Sequence, residues 1–362
     1  MTDGEDSSPA SPAAGRRPVV AVDCNGADLG PGEVAAGAAL AARRGTRVLL
    51  FGPAGELGEL PDGVEVDDSP VSIAKAPDPV RAVRTTPQAS IVKAARAVAD
   101  GRADALVCAG GTGAALAACT FNIKRAPGIY RPALALPLPI PSSPVTLLDV
   151  GANAEARCEH LVQFAFMGAA FASSVLGVER PRVGLLSNGQ ESGRGNALVL
   201  DTHAVLSERT GSAAGAFEFV GNVEGDDIVA NRADVVVTDG FTGNIALKLI
   251  EGVSQTMMRA IRDVASSSPR GKLGGLLLRG ALGGFRAQID PETPGGAYLL
   301  GLRRLGVVPH GRFTRRGFAQ AILRAEVGAD EDVVAVTQRA LAAAGALKRS
   351  PVSAQAVSLP QR

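Results

Sequence analysis

Short apolar runs recur along the chain. Each empties into a polar, glycine-rich turn, and apolar residues at helical spacing follow. The runs at 19–22, 47–51, 105–108, 146–150, 182–186, 217–220 and 234–238 are rich in Val, Leu and Ala. They read as strands, and the β-branched run at 234–238 as one buried on both faces of a parallel sheet. Helices are predicted over 33–44, 88–99, from the turn at 109–114 to about 120, 159–176, from 197 to about 209, 245–265, 298–305 and 314–344. Gly45 and Gly101 sit where left-handed helix ends need glycine. Residues 63–75 read as loop or short strand, and 78–84 as a polar, basic connection. Pro127, Pro132, Pro137, Pro139, Pro141 and Pro144 make 131–144 extended and exclude a helix there.

Strand, turn and helix recur in that order at least six times, which predicts an α/β fold: three αβα layers around a doubly wound, mostly parallel sheet. In such sheets ligands bind beyond the carboxyl ends of the strands. The polar turns are therefore expected to converge on one cleft.

One corner organises the rest. Asp239-Gly240-Phe241-Thr242-Gly243-Asn244 follows the strand at 234–238, and Lys248 comes four residues later. A helix opening near Asn244, a good N-cap, would present backbone N–H groups and positive dipole to an anion, with Lys248 within about a turn. The plain alternative is a tight β-turn-α corner. Other turns add polar groups. The first holds Asp23, Asn25, Gly26 and Asp28; a second holds Gly110, Gly111, Thr112 and Gly113, a bare-amide turn without a Walker lysine. Others hold Asp149, Gly151 and Asn153; Asn188, Glu191, Arg194, Gly195 and Asn196; Asn222 and Glu224; Gly295 and Gly296; His310 and Gly311. The expected cleft has mixed charge and anion-binding corners. It lacks a GxSxG elbow and a convincing GxGxxG fingerprint, so the residues point to a phosphate or phosphorylated ligand and to transfer without a covalent serine.

Composition narrows this further. A net charge of +1 gives no case for nucleic acid. Cys24, Cys108, Cys119 and Cys158 have no CxxC spacing and read as thiols of a cytoplasmic protein, and His160, His203 and His310 are too scattered to form a metal triad. No apolar run is long enough to span a membrane. Residues 1–17 read as a disordered tail, 18–345 as one catalytic domain and 346–362 as a polar tail. A helical hairpin over 252–292 is expected to project, its apolar stretch near 272–285 serving a dimer, a membrane surface or plain burial.

In order and spacing, the turns resemble those of the PlsX phosphate acyltransferases, the fatty acyl phosphate synthases of bacterial phospholipid synthesis. The resemblance rests on Ala21-Val22-Asp23 through Asp28, Ala103 through Gly113, Arg131-Pro132-Ala133 and Leu148-Asp149-Val150-Gly151-Ala152-Asn153. It continues through Glu159-His160-Leu161-Val162-Gln163, Gly221-Asn222-Val223-Glu224-Gly225, the Asp239 corner, Gly295-Gly296-Ala297 and His310-Gly311, covering about 18–325. The chain departs from the family pattern at Gly111, where asparagine is usual, at Cys24 to Ala27, at Arg194, where lysine is usual, at Val308 and Pro309, and at Gln88 to Ile91.

The resemblance implies reversible transfer of a long-chain acyl group from acyl carrier protein to inorganic phosphate. The acyl phosphate would feed phosphatidic acid synthesis through a glycerol-3-phosphate acyltransferase. It also implies a fold related to phosphate acetyltransferases and isocitrate dehydrogenase, a homodimer, peripheral membrane contact, and neither metal nor nucleotide. On this reading Asp23, Asn188, Glu191, Arg194, Asp239, Asn244, Lys248 and His310 are the catalytic candidates. The remaining turn residues, including Gly240 and Gly243, hold phosphate or substrate. Two alternatives stand beside it: a phosphotransacylase using coenzyme A, and a non-catalytic scaffold.

Overall fold

A computed structural model describes residues 16–141, 144–212, 217–270, 272–274, 284 and 289–348. Eleven strands form one sheet: β1 Val19–Asp23, β2 Arg47–Gly52, β3 Val64–Asp68, β4 Ala105–Cys108, β5 Ala133–Leu138, β6 Val145–Leu148, β7 Arg182–Leu186, β8 Glu218–Val223, β9 Val235–Val237, β10 Ala297–Leu300 and β11 Leu305–Val308. Their order is β3-β2-β1-β4-β11-β10-β5-β6-β9-β7-β8. The helices are α1 Pro31–Ala42, α2 Pro79–Thr85, α3 Ser90–Ala99, α4 Thr112–Ala118, α5 Cys158–Ser174, α6 Ala197–Ser212, α7 Gly240–Ser266, α8 Arg315–Asp330 and α9 Val333–Ala343.

Strand periodicity explains the layers. Along β1, Val20 and Val22 face one core with α1, α5, α6, α8 and α9; Val19 and Ala21 face the other with α3, α4 and the start of α7. Alanine and glycine let helices lie close to the sheet, and few aromatics are needed. Tyr298 is an exception: it is fully buried, tilts against Phe171 with ring centroids 4.5 Å apart, and donates its hydroxyl to Pro294 O at 2.6 Å.

Strand direction sets where turns can meet. Strands β3, β2, β1, β4 and β11 are mutually parallel. The β11–β10, β10–β5 and β5–β6 pairs are antiparallel, so β6, β9, β7 and β8 run parallel to one another but opposite to β1. The carboxyl ends therefore fall on two opposite edges of the sheet. The expected single convergence of all the turns is corrected here: three successive antiparallel pairs reverse the second half.

Three local expectations also change. The helix expected at 298–305 is the β10–β11 hairpin; a four-residue apolar run cannot be told from a helical segment by periodicity alone, and Tyr298 and Leu300 face one core while Leu299 faces the other. The basic connection at 78–84 is α2, with Asp78 accepting from Arg81 N at 2.9 Å as its N-cap and Pro79 opening the first turn. Helix α7 starts at Gly240, not near Asn244, because Asp239 is the cap and accepts from Thr242 N at 2.9 Å. Beyond residue 251, α7 leaves the layers and is largely exposed. Most of the expected tails, and residues 275–283 and 285 of the hairpin tip, lie outside the described residues. No described helix is long and apolar enough to cross a membrane.

Candidate functional site

At the edge where β1 and β4 end, three turns interlock. Asp28 N donates to Gly311 O at 2.7 Å. Gly26 has φ 144, and a Cβ there would stand 2.2 Å from Ala109 O, so only glycine lets the first turn lie against the second. Gly110 lies against both Gly26 and Gly311, and Gly296 lies against Val308 and Pro309 beneath His310. The turn at 109–112 opens α4, whose exposed N-terminus carries the Thr112 hydroxyl. Gly295 packs on α8 at Ala321, away from this point.

Beneath the crevice is a buried polar network. Asn25 Nδ2 donates to Ser69 O at 2.9 Å and to Ser90 Oγ at 3.0 Å. Asn25 N donates to Asp23 Oδ1 at 3.2 Å. Burial pushes the Asp23 carboxyl up to about 7 from an ordinary 3.8, against the stabilising hydrogen bonds of Ser90 and Asn25. Cys24 and Cys108 border Asp23 and are buried; burial first, then the Asp23 charge, push the Cys24 thiol up, which leaves it protonated and inert. The network fastens the 69–76 loop to the β1 turn. Residues 72–76 with Asn25, Gly26, Ala27 and Pro31 line an open cleft of about 550 Å³.

Helix α7 brings a cation to the same edge. It begins at the opposite edge, and Lys248 stands eight residues beyond Gly240, about 12 Å along the axis. Lys248 is thus not at the helix N-terminus. Its Nζ lies 2.9 Å from Glu251 Oε2, and both charges act on His310, together with Arg312 and Asp28. Partial burial, then the Arg312 and Lys248 charges, hold the His310 imidazole below its ordinary value of 6.5. It is neutral at pH 7 and suited to passing a proton.

The opposite edge holds two further groups. The Asp149 carboxylate accepts from Leu134 N, Gly151 N, Ala152 N, Asn153 N and Asn153 Nδ2, all at 2.8–3.1 Å. These bonds occupy its lone pairs and organise the turn. Gly240 N donates to Asn153 O at 2.8 Å, Gly243 lies against Asp149 O, and Asn244 Nδ2 donates to Val150 O at 3.3 Å. The Asp239 corner thus fastens α7 to the β6 turn.

Beside it, Asn222 Nδ2 donates to Glu191 O at 2.8 Å and Arg194 O at 3.3 Å, shaping the loop after β7. Arg194 and Glu191 are exposed and 3.6 Å apart; Asn188 is exposed, and Asn196 Oδ1 accepts from Val199 N at 3.0 Å. Ser187 Oγ and Asn222 Oδ1 are buried and, among the described residues, unpartnered. Glu224, Asp226 and Asp227 bring carboxylate oxygens within 4.8 Å of one another. Asp227 already accepts from Glu224 N at 2.8 Å and Gln190 Nε2 at 3.2 Å. Arg194 lies in the turn after β7, whereas Lys248 acts on His310 after β11.

Sequence reasoning missed Ser69, Ser90, Ser187 and Glu251. Each acts through a neighbour distant in sequence or on a helix face, which local sequence does not reveal.

A family model described as "Fatty acid synthesis protein" matches residues 19–336. The chain is 43% identical over 312 residues to the phosphate acyltransferase of Nitratidesulfovibrio vulgaris, covering 84% of this chain and 89% of that one. It is 42% identical over 315 residues to the phosphate acyltransferase of Thermobifida fusca, covering 85% and 87%. Among solved structures, the EutD phosphotransacetylase from Staphylococcus aureus matches with a TM-score of 0.56 at 16% identity, covering 86% of this chain and 94% of that one. A phosphotransacetylase from Streptococcus pyogenes matches with a TM-score of 0.58 at 16% identity, covering 87% and 94%. At that identity the structural likeness speaks for the fold, a mixed α/β sheet between helical layers.

Proposed function

The chain belongs to the fatty acid synthesis protein family, and from that membership we propose that it moves a long-chain acyl group from an acyl carrier protein thioester to inorganic phosphate. The enzyme class, an acyltransferase with phosphate as acceptor, comes with the family. The carrier donor, the residue roles and the assembly are the finer parts of this reading.

The observation that carries the site assignment is the interlocking of the β1, β4 and β11 turns beside the cleft, with His310 and Lys248 facing them. Phosphate sits at the amides of the 110–112 turn, under the field of Lys248. The thioester arm enters along residues 72–76. A phosphate oxygen attacks the thioester carbonyl, the C–S bond breaks, and the proton of hydrogen phosphate reaches the departing sulfur through neutral His310. The products are acyl phosphate and free thiol. Asp23, Asn25 and Ser90 hold the turn in place from below.

A second placement has its own support. The unpartnered Ser187 hydroxyl and Asn222 carbonyl, beside Arg194 and the start of α6, offer a polar pocket at the opposite edge. On that reading phosphate binds there.

Residues 18–345 act as one catalytic unit in this proposal, and two copies pair through α7. The helix exposes Phe241, Ile245, Leu249, Val253, Met257, Ile261 and Val264 along one stripe, an unusual amount of apolar surface for a free helix. Contact with a membrane surface through 272–285 remains part of the proposal, as does delivery of the product to a glycerol-3-phosphate acyltransferase.

The test is an end-point assay with purified protein, palmitoyl-acyl carrier protein and phosphate, with hydroxylamine trapping acyl phosphate. Phosphate-dependent hydroxamate is the expected result. Product only from palmitoyl-coenzyme A would move the donor assignment, and no product from either would leave a non-catalytic role.

A further inference from the structure

Helix α2 lies over the start of α4, with Pro79 packed against Gly113. It begins three residues after the 72–76 stretch that lines the cleft. Its solvent side carries Arg81 and Arg84, and Arg84 Cζ stands 4.5 Å over the Phe121 ring. Phe121 is 39% exposed, and Val80, 46% exposed, lies one helical turn from Arg84 on the same face of α2. Arg96 donates to Asn122 Oδ1 at 3.4 Å, beside Phe121 in the chain, and the exposed Lys75 lines the cleft.

Among the described residues, none of Lys75, Arg81, Arg84 or Arg96 has a carboxylate within ion-pair distance. Asp78, the carboxylate within this stretch, is turned to the helix as its cap. The whole chain carries a net charge of +1, so these unpaired cations on and near α2, with Val80 and Phe121 exposed among them, are a local excess. Apolar centres rimmed by arginine are the composition of a protein-docking face, and unpaired surface charge steers an oppositely charged partner to it.

We propose that the α2 face, with Arg81, Arg84 and Arg96 around Val80 and Phe121, docks an acidic carrier protein and aims its thioester arm into the adjoining cleft. This rests on the carrier-donor reading above. The patch binds the carrier's protein surface, not the arm, so it separates donors by size. A free phosphopantetheine thioester reaches the cleft without it.

The experiment measures phosphate-dependent thiol release by full-length protein from two donors, palmitoyl-acyl carrier protein and palmitoyl-phosphopantetheine. Variants Arg81→Glu, Arg84→Glu and, on a separate helix, Arg96→Glu are compared with wild type. Reversing a charge is expected to raise KM for the carrier donor by roughly tenfold, leave its kcat within about twofold, and flatten the salt dependence of kcat/KM. With the phosphopantetheine donor the variants are expected to match wild type, which also establishes that they fold. Equal kinetics for variants and wild type on the carrier donor overturn the docking face and leave the donor reading standing. Equal losses on both donors overturn it too, by placing these arginines in the cleft chemistry. If wild type releases no thiol from the carrier donor, the donor reading falls and the docking face with it.

Discussion

Asp28 N donates to Gly311 O at 2.7 Å, joining the turn after the first strand to the turn after the last. These residues are nearly the length of the chain apart, and their bond is possible because β1 and β11 flank β4 in one parallel group. Gly26 makes the approach close enough. Gly26→Ala is expected to destabilise the fold by about 2 kcal/mol or more, from a strained φ plus a clash with Ala109 O. Gly30→Ala is the control: φ is 88 but nothing lies within 4 Å, so about 1 kcal/mol is expected. Chemical denaturation of both variants measures the difference.

The buried Asp23 carboxyl gives a pH signature. Its folded pKa, about 7, lies above the ordinary 3.8. A raised folded pKa contributes stability that is complete below the unfolded value and is lost as pH rises through the folded one. Wild-type stability is therefore expected to carry a component that declines between about pH 4 and pH 7, on the order of 1 kcal/mol per pH unit. Asp23→Asn removes that component. Parallel melts of both proteins across this range test it; a variant whose stability falls as steeply as wild type counts against burial of the acid.

Much of the fold was legible because short apolar runs and glycine turns alternate so regularly. The candidate turns were legible too, since Asp23, Asn25, Asp149 and the Asp239 corner concentrate polar groups where strands end. Strand direction was not. It turns on the antiparallel β5–β6 pair, whose first strand lies in the proline-rich stretch read only as extended; the β10–β11 and β10–β5 reversals cancel, so the β5–β6 pair decides which turns share an edge. The reach of Lys248 was also hidden, because it follows from α7 starting at Gly240 and crossing the sheet. Ser90 lies in the Gln88–Ile91 stretch, which departs from the family pattern, and its role appears only when Asn25 is seen to donate to it.

Asp149 is expected to matter for stability before chemistry. Five donors converge on its carboxylate, and Asp149→Asn turns one acceptor oxygen into a donor facing others. A loss of about 3 kcal/mol is expected. The activity of the folded fraction is expected to keep its phosphate KM. A variant with wild-type stability and a raised phosphate KM would instead make Asp149 a phosphate contact.

The two placements of phosphate differ in which cation counts. With phosphate at the Gly110–Thr112 turn, Lys248→Ala is expected to raise the phosphate KM by about tenfold or more, from loss of a nearby charge. Arg194→Ala is expected to change it by less than about twofold, because Arg194 belongs to the turn after β7 at the opposite edge and is screened there by water. The reverse pattern in steady-state titrations would assign phosphate to the pocket beside Ser187 and Asn222.

Direct attack of phosphate on the thioester is the central step. It is tested by rapid-mixing measurement of thiol release from palmitoyl-acyl carrier protein, at enzyme concentrations near that of the donor, with and without phosphate. Direct attack predicts no release without phosphate and a single phase that saturates with phosphate concentration. A stoichiometric burst of thiol in the absence of phosphate would mean that the acyl group is first taken up by the protein, and would contradict it.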